Sequence, residues 1–160
     1  IRNEELLVDK EFFSLLSTKR ISWGFVSGAE SASAKFVLEE RLKLKSPPLI
    51  AMGDAPDKPD PQGLISLANK LCRNNLGYKN IPIAYVGDTI ADIKTVINAK
   101  KIIPNQNFIS IGVAPPHLHL ESRKKERNAY ESKLREAGAN LILHSVNDLK
   151  NIDFNFFRNN

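Results

Sequence analysis

The amino-acid sequence predicts a layered α/β fold with parallel strands, on three observations. Short apolar runs of strand length recur along the chain and end in Gly, Ser, Asp or Pro. Between them lie longer stretches with apolar residues at helical spacing. Caps and breakers such as Asp9, Pro61 and Gly77 stand at the ends of those stretches. Strands that alternate with helices pair in parallel through right-handed crossovers, which covers the sheet with helices.

The elements follow one another in a regular order. In chain order the sequence predicts helix 9–19, strand 21–28, helix 29–44, strand 49–56, helix 60–77, strand 81–88, helix 89–101, strand 108–116, helix 121–138, strand 140–145 and a terminal turn or helix 146–157. The two prolines of "KSPP" end the second helix, because proline cannot continue one. We see no internal repeat or convincing linker, so residues 1–160 are interpreted as one domain.

Composition narrows the class of protein. The 160 residues are 42% hydrophobic and 26% charged, which is ordinary for a globular chain with a sizeable core. We see no apolar run of transmembrane length and no signal peptide, so we expect no membrane partner. The lone Cys72 cannot form an internal disulfide, which favours a cytoplasmic setting.

The net charge of +5 does not point to nucleic acid. The densest basic run, residues 121–138, interleaves Glu with Lys and Arg, which is typical of a solvated helix face. Aromatic residues do not alternate with basic ones, as a single-strand platform would require. Small anionic molecules remain compatible with the charge.

Polar side chains stand where three of the predicted strands end. Ser27 and Gly28 follow the first strand, Lys58 follows the second, and Asp88 follows the third, with Asp92 one helical turn later. Open α/β folds bind their ligands at this edge of the sheet. A hydroxyl, backbone amides, a lysine and a carboxylate pair are groups that hold a phosphoryl group beside Mg²⁺.

Structural interpretations of the same residues remain open at this point. Asp88 and Asp60 also fit helix caps, Ser27 fits a turn hydroxyl, and Lys58 fits a surface lysine.

A Pro-rich loop after the fourth strand carries His117 and His119. These two residues lack two further obvious metal ligands, so we interpret their loop as part of the mouth of the site. Asp54 either lines that site or belongs to a turn.

Taken together, these residues resemble the haloacid dehalogenase superfamily of phosphohydrolases. "FVSGA" resembles its second motif, "DKPDP" its third, and "YVGDTIADIKTVINA" its fourth, in the family's order. "REAGANLILHSVNDL" resembles the usual end of the core, so the similarity covers roughly residues 9 to 150. The resemblance implies a three-layer, Rossmann-like parallel sheet.

The resemblance also implies a role for each residue. Ser27 and the amide of Gly28 would bind the phosphoryl oxygens, and Lys58 would neutralise charge on the phosphate and the nucleophile. Asp88 would bind Mg²⁺, and Asp92 would support the metal directly or through water. The implied activity is Mg²⁺-dependent hydrolysis of a small phosphorylated metabolite through an aspartyl-phosphate.

The family's first motif, an apolar strand ending in Asp-x-Asp, is missing before Ser27. Asp9 and Glu11 have the right mutual spacing, but Glu departs from the pattern, so Asp9 is a weak candidate nucleophile. We expect the first motif, and a helical cap that selects the substrate, upstream of Ile1. In the family the first-motif strand lies between the strands that end here at Ser27 and Asp88. The 160-residue chain alone is therefore expected to be inactive, less stable than the intact protein and prone to associate.

Two further functions remain as alternatives. A non-catalytic phosphate-binding or interaction module would keep Ser27, Lys58 and Asp88 without turnover. A phosphotransferase or phosphomutase would use the same core residues.

Overall fold

Strands and helices alternate along residues 8–77 and 81–153, which are the residues that the computed structural model describes. The strands are β1 (Phe25–Val26), β2 (Leu49–Ile50), β3 (Ile83–Gly87), β4 (Phe108–Val113) and β5 (Leu141–Leu143). The α-helices are α1 (Lys10–Thr18), α2 (Ser31–Lys35), α3 (Gln62–Leu71), α4 (Ile90–Ile102) and α5 (Lys124–Glu136). A π-helical segment, Phe36–Arg41, continues α2, and short 3₁₀ turns occupy Pro116–Leu118, Glu121–Arg123 and Val146–Asn151.

The strands form two parallel sheets, so the predicted α/β class is confirmed. β1 pairs with β2, and the second sheet has the order β3-β4-β5. The first sheet is shorter than predicted, because the runs 21–28 and 49–56 each contribute only two ladder residues. The last predicted element, 146–157, is a 3₁₀ turn through Asn151, and its residues beyond 153 lie outside the described residues.

β4 lies at the centre of the core, and all six of its residues are buried. Its alternate residues Ile109 and Ile111 face a cluster built on α1, whereas Phe108 faces a cluster built on α3 and α4. This alternation follows from the two-residue period of a strand. The sheet therefore lies between two helical layers, as the three-layer prediction requires. Among the described residues, no helix has both the length and the apolar character needed to cross a bilayer.

β1 and β3 are neighbours without a ladder between them. Phe25 and Ser27 donate their amides to the Pro48 and Ile50 carbonyls, so the peptide groups of Val26 face away from β2. The Tyr85 hydroxyl lies 3.4 Å from the Val26 carbonyl oxygen and spans the two strands. Hydrogen-bonding direction alternates along β3 in the same way, so the peptide groups of Ala84 and Val86 face away from β4. Ala84 is exposed. That a first-motif strand fills this space stays a prediction.

We expect the 160-residue chain to self-associate through this open edge of β3, because an apolar strand with unpaired peptide groups is a template for pairing. Ala84→Lys should reduce the association, since a charge on an edge strand opposes pairing. Sedimentation velocity over a concentration series measures the effect. Ile102→Lys, which places the same charge on a residue that is 60% exposed at the end of α4, is the matched control. A monomeric parent chain, or an equal effect of both variants, would contradict the expectation.

Candidate active site

The anion-binding residues predicted from the sequence share one small cleft at the carboxyl ends of β1 and β2. Ser27, Gly28 and Lys58 line it, together with Asp57 and Asp60. The Ser27 hydroxyl accepts a hydrogen bond from the Ala29 amide at 3.1 Å. Ser27 therefore stabilises the turn after β1 in addition to lining the cleft.

The loop around Gly28 is open. A methyl group added at Gly28 would meet no atom within 4 Å. A ligand can therefore approach the backbone of this turn closely.

Lys58 reaches from the loop after β2 to Asp92 on α4. The Nζ–Oδ1 distance is 2.5 Å, and the side chains of Lys58 and Asp92 are 22% and 3% exposed. A buried carboxylate needs such a partner, because leaving it without a cation costs several kcal/mol. Lys58 is therefore a partly buried, ion-paired residue, and the alternative interpretation of it as a surface lysine is wrong.

Asp92 holds the loop that carries Asp88. Its Oδ2 accepts from the Asp88 amide at 3.2 Å, the Thr89 amide at 3.0 Å and the Thr89 hydroxyl at 2.7 Å. Thr89 in turn accepts from the Asp92 amide at 3.1 Å, which completes a capping box at the start of α4. Thr89, not Asp88, is the cap, so the alternative interpretation of Asp88 as a helix cap is wrong.

The Gly-Asp pair at the end of β3 has a steric reason. A Cβ at Gly87 would lie 2.3 Å from the Cβ of Asp92, a distance that no real contact shows. Glycine therefore lets the first turn of α4 approach the end of the strand, and this brings the Asp92 carboxylate to the Asp88 amide.

The two carboxyl groups have opposite electrostatic environments. Burial by itself would raise the pKa of Asp92, but the hydrogen bond and charge of Lys58, with the donors of Thr89, bring it below its usual value. For Asp88, partial removal from water raises the pKa, and the Asp92 carboxylate raises it further. Its own backbone, Lys58 and His117 oppose this shift without cancelling it.

Two tyrosines that the sequence interpretation missed reach this pair. The Tyr85 hydroxyl lies 3.2 Å from Asp92 Oδ1, and Tyr130 on α5 donates to the Asp88 carbonyl at 2.6 Å. Tyr85 leaves a signal in the sequence, namely one hydroxyl in an apolar strand. Tyr130 leaves none, because it lies 42 positions from Asp88.

The histidines lie near the site mouth without forming a metal centre. His117 is exposed and acts electrostatically on Asp88. His119 donates from Nε2 to the Ala114 carbonyl at 2.8 Å, and its ring lies 5.5 Å from that of His144. Within the described ranges, no three Asp, Glu, His or Cys side chains converge to hold a metal ion.

The other two acidic candidates have structural partners. Asp54 accepts the Ala51 amide at 2.8 Å and braces its own turn. Asp9 caps α1 by accepting the Phe12 amide at 2.9 Å, and it lies 3.7 Å from the ammonium of Lys150.

Two solved structures share this architecture. A phosphonoacetaldehyde hydrolase-like protein from Oleispira antarctica matches 94% of this chain with a TM-score of 0.72 and 20% identity. A haloacid dehalogenase-like hydrolase from Bacteroides fragilis matches 87% of it with a TM-score of 0.58 and 17% identity. The chain has the haloacid dehalogenase fold. The resemblance predicted from the motifs is thus confirmed at the level of the fold.

This chain aligns with only part of the length of each of those proteins. The matches cover 55% and 56% of their respective lengths. No protein-family model matches the chain. No curated protein sequence matches it either.

Replacing Lys58 by Met should lower the free energy of unfolding at pH 7 by about 3 kcal/mol, because it leaves Asp92 buried without a cation. The pH dependence of this loss in stability follows from the lowered pKa of Asp92. A depressed carboxyl pKa stabilises the fold above the unfolded value of about 4, and this contribution disappears as the pH falls through the folded value. The difference between parent and variant should therefore shrink below about pH 4.

Urea unfolding followed by circular dichroism across this pH range measures the difference. Lys94→Met, at an exposed position on α4, is the matched control and should change stability by less than about 0.5 kcal/mol. Equal effects of the two substitutions at pH 7 would show that the Lys58–Asp92 pair contributes nothing.

Proposed function

We propose that this chain forms the phosphate-binding and metal-side part of a Mg²⁺-dependent phosphohydrolase. The observation that carries the proposal is the arrangement of Ser27, Gly28 and Lys58 around one cleft of a haloacid dehalogenase fold. Asp92 pairs with Lys58 and also accepts a hydrogen bond from the Asp88 amide, so it links Asp88 to the cleft.

The cleft offers the groups that a phosphoryl dianion requires. The Ser27 hydroxyl and the backbone of the open Gly28 turn provide hydrogen-bond donors, and the Lys58 ammonium provides positive charge. Preorganised donors and cations of this kind are the main source of rate enhancement in phosphoryl transfer, because the group that moves is already highly charged. Lys58 is held in place by Asp92, so little reorganisation is needed when the substrate binds.

The position and charge of Asp88 suit a magnesium ligand. Mg²⁺ prefers oxygen ligands and keeps several waters, so one or two carboxylates and the substrate phosphate complete its shell. Asp88 is exposed at the carboxyl end of β3, and its raised pKa indicates that a cation would stabilise its ionised form. When bound, the metal would neutralise negative charge on the phosphoryl oxygens. Asp92 already accepts hydrogen bonds on both oxygens, which favours an indirect role.

The nucleophile implied by the resemblance is an aspartate of a first motif. Asp9 carries a helix cap and an ion pair, and both favour a structural role for it. We therefore propose that another part of the full-length protein supplies the nucleophile from the space between β1 and β3.

Phosphatase assays on the full-length protein test the proposal, with p-nitrophenyl phosphate and Mg²⁺ as a general substrate. Asp88→Asn should lower kcat by about a hundredfold or more, because it removes the metal's carboxylate. Asp54→Asn is the matched control and should retain activity, since an asparagine oxygen can still accept the Ala51 amide. Phosphonoacetaldehyde is a second substrate to assay, because one structural neighbour is described as a phosphonoacetaldehyde hydrolase-like protein.

Near-normal turnover of Asp88→Asn would refute the metal assignment. If the full-length protein binds phosphate and Mg²⁺ but hydrolyses neither substrate, the non-catalytic binding module becomes the better description.

Mg²⁺ affinity should fall on acidification at a higher pH than for an ordinary aspartate. Only the ionised Asp88 carboxylate binds the metal, and its pKa is raised, so protonation competes earlier as the pH falls. Below that pKa the affinity should drop about tenfold per pH unit. Isothermal titration calorimetry between pH 4 and 8 measures the profile. A flat profile down to about pH 4 would contradict the assignment.

A further inference from the structure

Tyr85, like Lys58, connects the anion cleft with the β3–α4 segment that carries Asp88 and Asp92. It lies in β3, two residues before Gly87, and its hydroxyl is 3.2 Å from Asp92 Oδ1 and 3.4 Å from the Val26 carbonyl oxygen. Val26 is the last residue of β1, directly before Ser27. One phenol oxygen therefore contacts both the strand that presents the anion-binding turn and the carboxylate that holds Lys58.

The hydroxyl has one proton and two acceptors within reach. A hydrogen bond to a carboxylate is stronger than one to a neutral carbonyl, so the phenol donates its hydrogen bond to Asp92. Burial, and then the Asp92 charge, raise the pKa of Tyr85 far above its usual value, which keeps the phenol a donor at every working pH.

The donor geometry at Asp92 divides its two oxygens between two tasks. Oδ2 is engaged by the Asp88 amide and by the amide and hydroxyl of Thr89, so it serves the metal-side loop. Oδ1 accepts from Lys58 at 2.5 Å and from Tyr85 at 3.2 Å, so it serves the cleft. Removing the Tyr85 hydroxyl therefore disturbs the oxygen that anchors Lys58 and leaves the donors of the Asp88 loop in place.

We propose that Tyr85 is a positioning residue of the anion site, whose hydroxyl fixes Asp92 Oδ1 and thereby aims the Lys58 ammonium at a tetrahedral oxyanion bound on the Ser27–Gly28 turn. The inference rests on the proposed function. Tyr85 acts through Lys58, and it contacts neither the ligand nor the metal.

The test uses Tyr85→Phe in the full-length protein, with inorganic phosphate and Mg²⁺ titrated separately by calorimetry. Loss of one hydrogen bond to a charged group should raise the Kd for phosphate about tenfold. The Kd for Mg²⁺ should stay unchanged, because Asp88 keeps its contacts. Tyr130→Phe is the comparison. It removes the same hydroxyl from a tyrosine that contacts the Asp88 carbonyl, so it should raise the Kd for Mg²⁺ and not the Kd for phosphate.

A double-mutant cycle separates positioning from general loosening. In the Lys58→Met background, Tyr85→Phe should cause no further loss of phosphate affinity, since the residue through which it acts is gone. An additive loss in that background, or an equal loss of phosphate and Mg²⁺ affinity in Tyr85→Phe, would show a merely structural role and overturn the inference. Unchanged phosphate affinity in Tyr85→Phe would overturn it as well.

The outcomes also separate this inference from the proposed function. If the parent protein binds both ligands and Tyr85→Phe matches it, only the role of Tyr85 fails. If the parent protein binds neither phosphate nor Mg²⁺, the proposed function fails and the inference fails with it.

Discussion

The site depends on one buried charge, the carboxylate of Asp92. An isolated carboxylate in this position would cost several kcal/mol, so the surrounding chain must supply donors to it. Those donors come from three segments: Lys58 after β2, Tyr85 within β3, and the Asp88–Thr89 junction before α4. Because each segment has to meet the same two oxygen atoms, the carboxylate sets their relative positions. It therefore determines the geometry of the cleft and of the loop that presents Asp88.

Asp88 and Asp92 belong to one sequence motif but have opposite electrostatic environments. The two residues are four positions apart, yet the pKa of one is raised and that of the other is lowered. Asp92 receives the lysine and the hydrogen bonds. Asp88 lies beside a neighbouring negative charge, which its own backbone, Lys58 and His117 offset only in part. A pair of acids whose environments push their pKa values apart is typical of catalytic and metal-binding sites. The same arrangement fits the proposed cation at Asp88, whereas Asp92 already has the Lys58 ammonium as its partner.

The described strands form two separate parallel sheets with unequal pairing. β4 has a neighbour on each side and is buried throughout, whereas β1 and β2 pair over only two residues. A parallel strand normally lies inside a sheet covered on both faces, so the apolar run of β3 is suited to a second neighbour. The chain spans slightly more than half the length of the two solved structures compared with it.

Local sequence determined much of this molecule. The order of strands and helices, the parallel pairing, and the gathering of Ser27, Gly28 and Lys58 at the strand ends follow from periodicity, breakers and the geometry of parallel sheets. Tertiary structure decided what depends on contacts between distant segments. The length of a strand depends on its neighbour, so the shortening of β1 and β2 was not predictable from their own residues. The hydrogen bond from Tyr130 to the Asp88 carbonyl and the ion pair of Lys58 with Asp92 join residues 42 and 34 positions apart. Such contacts depend on where side chains point after packing, and local sequence patterns carry no such information.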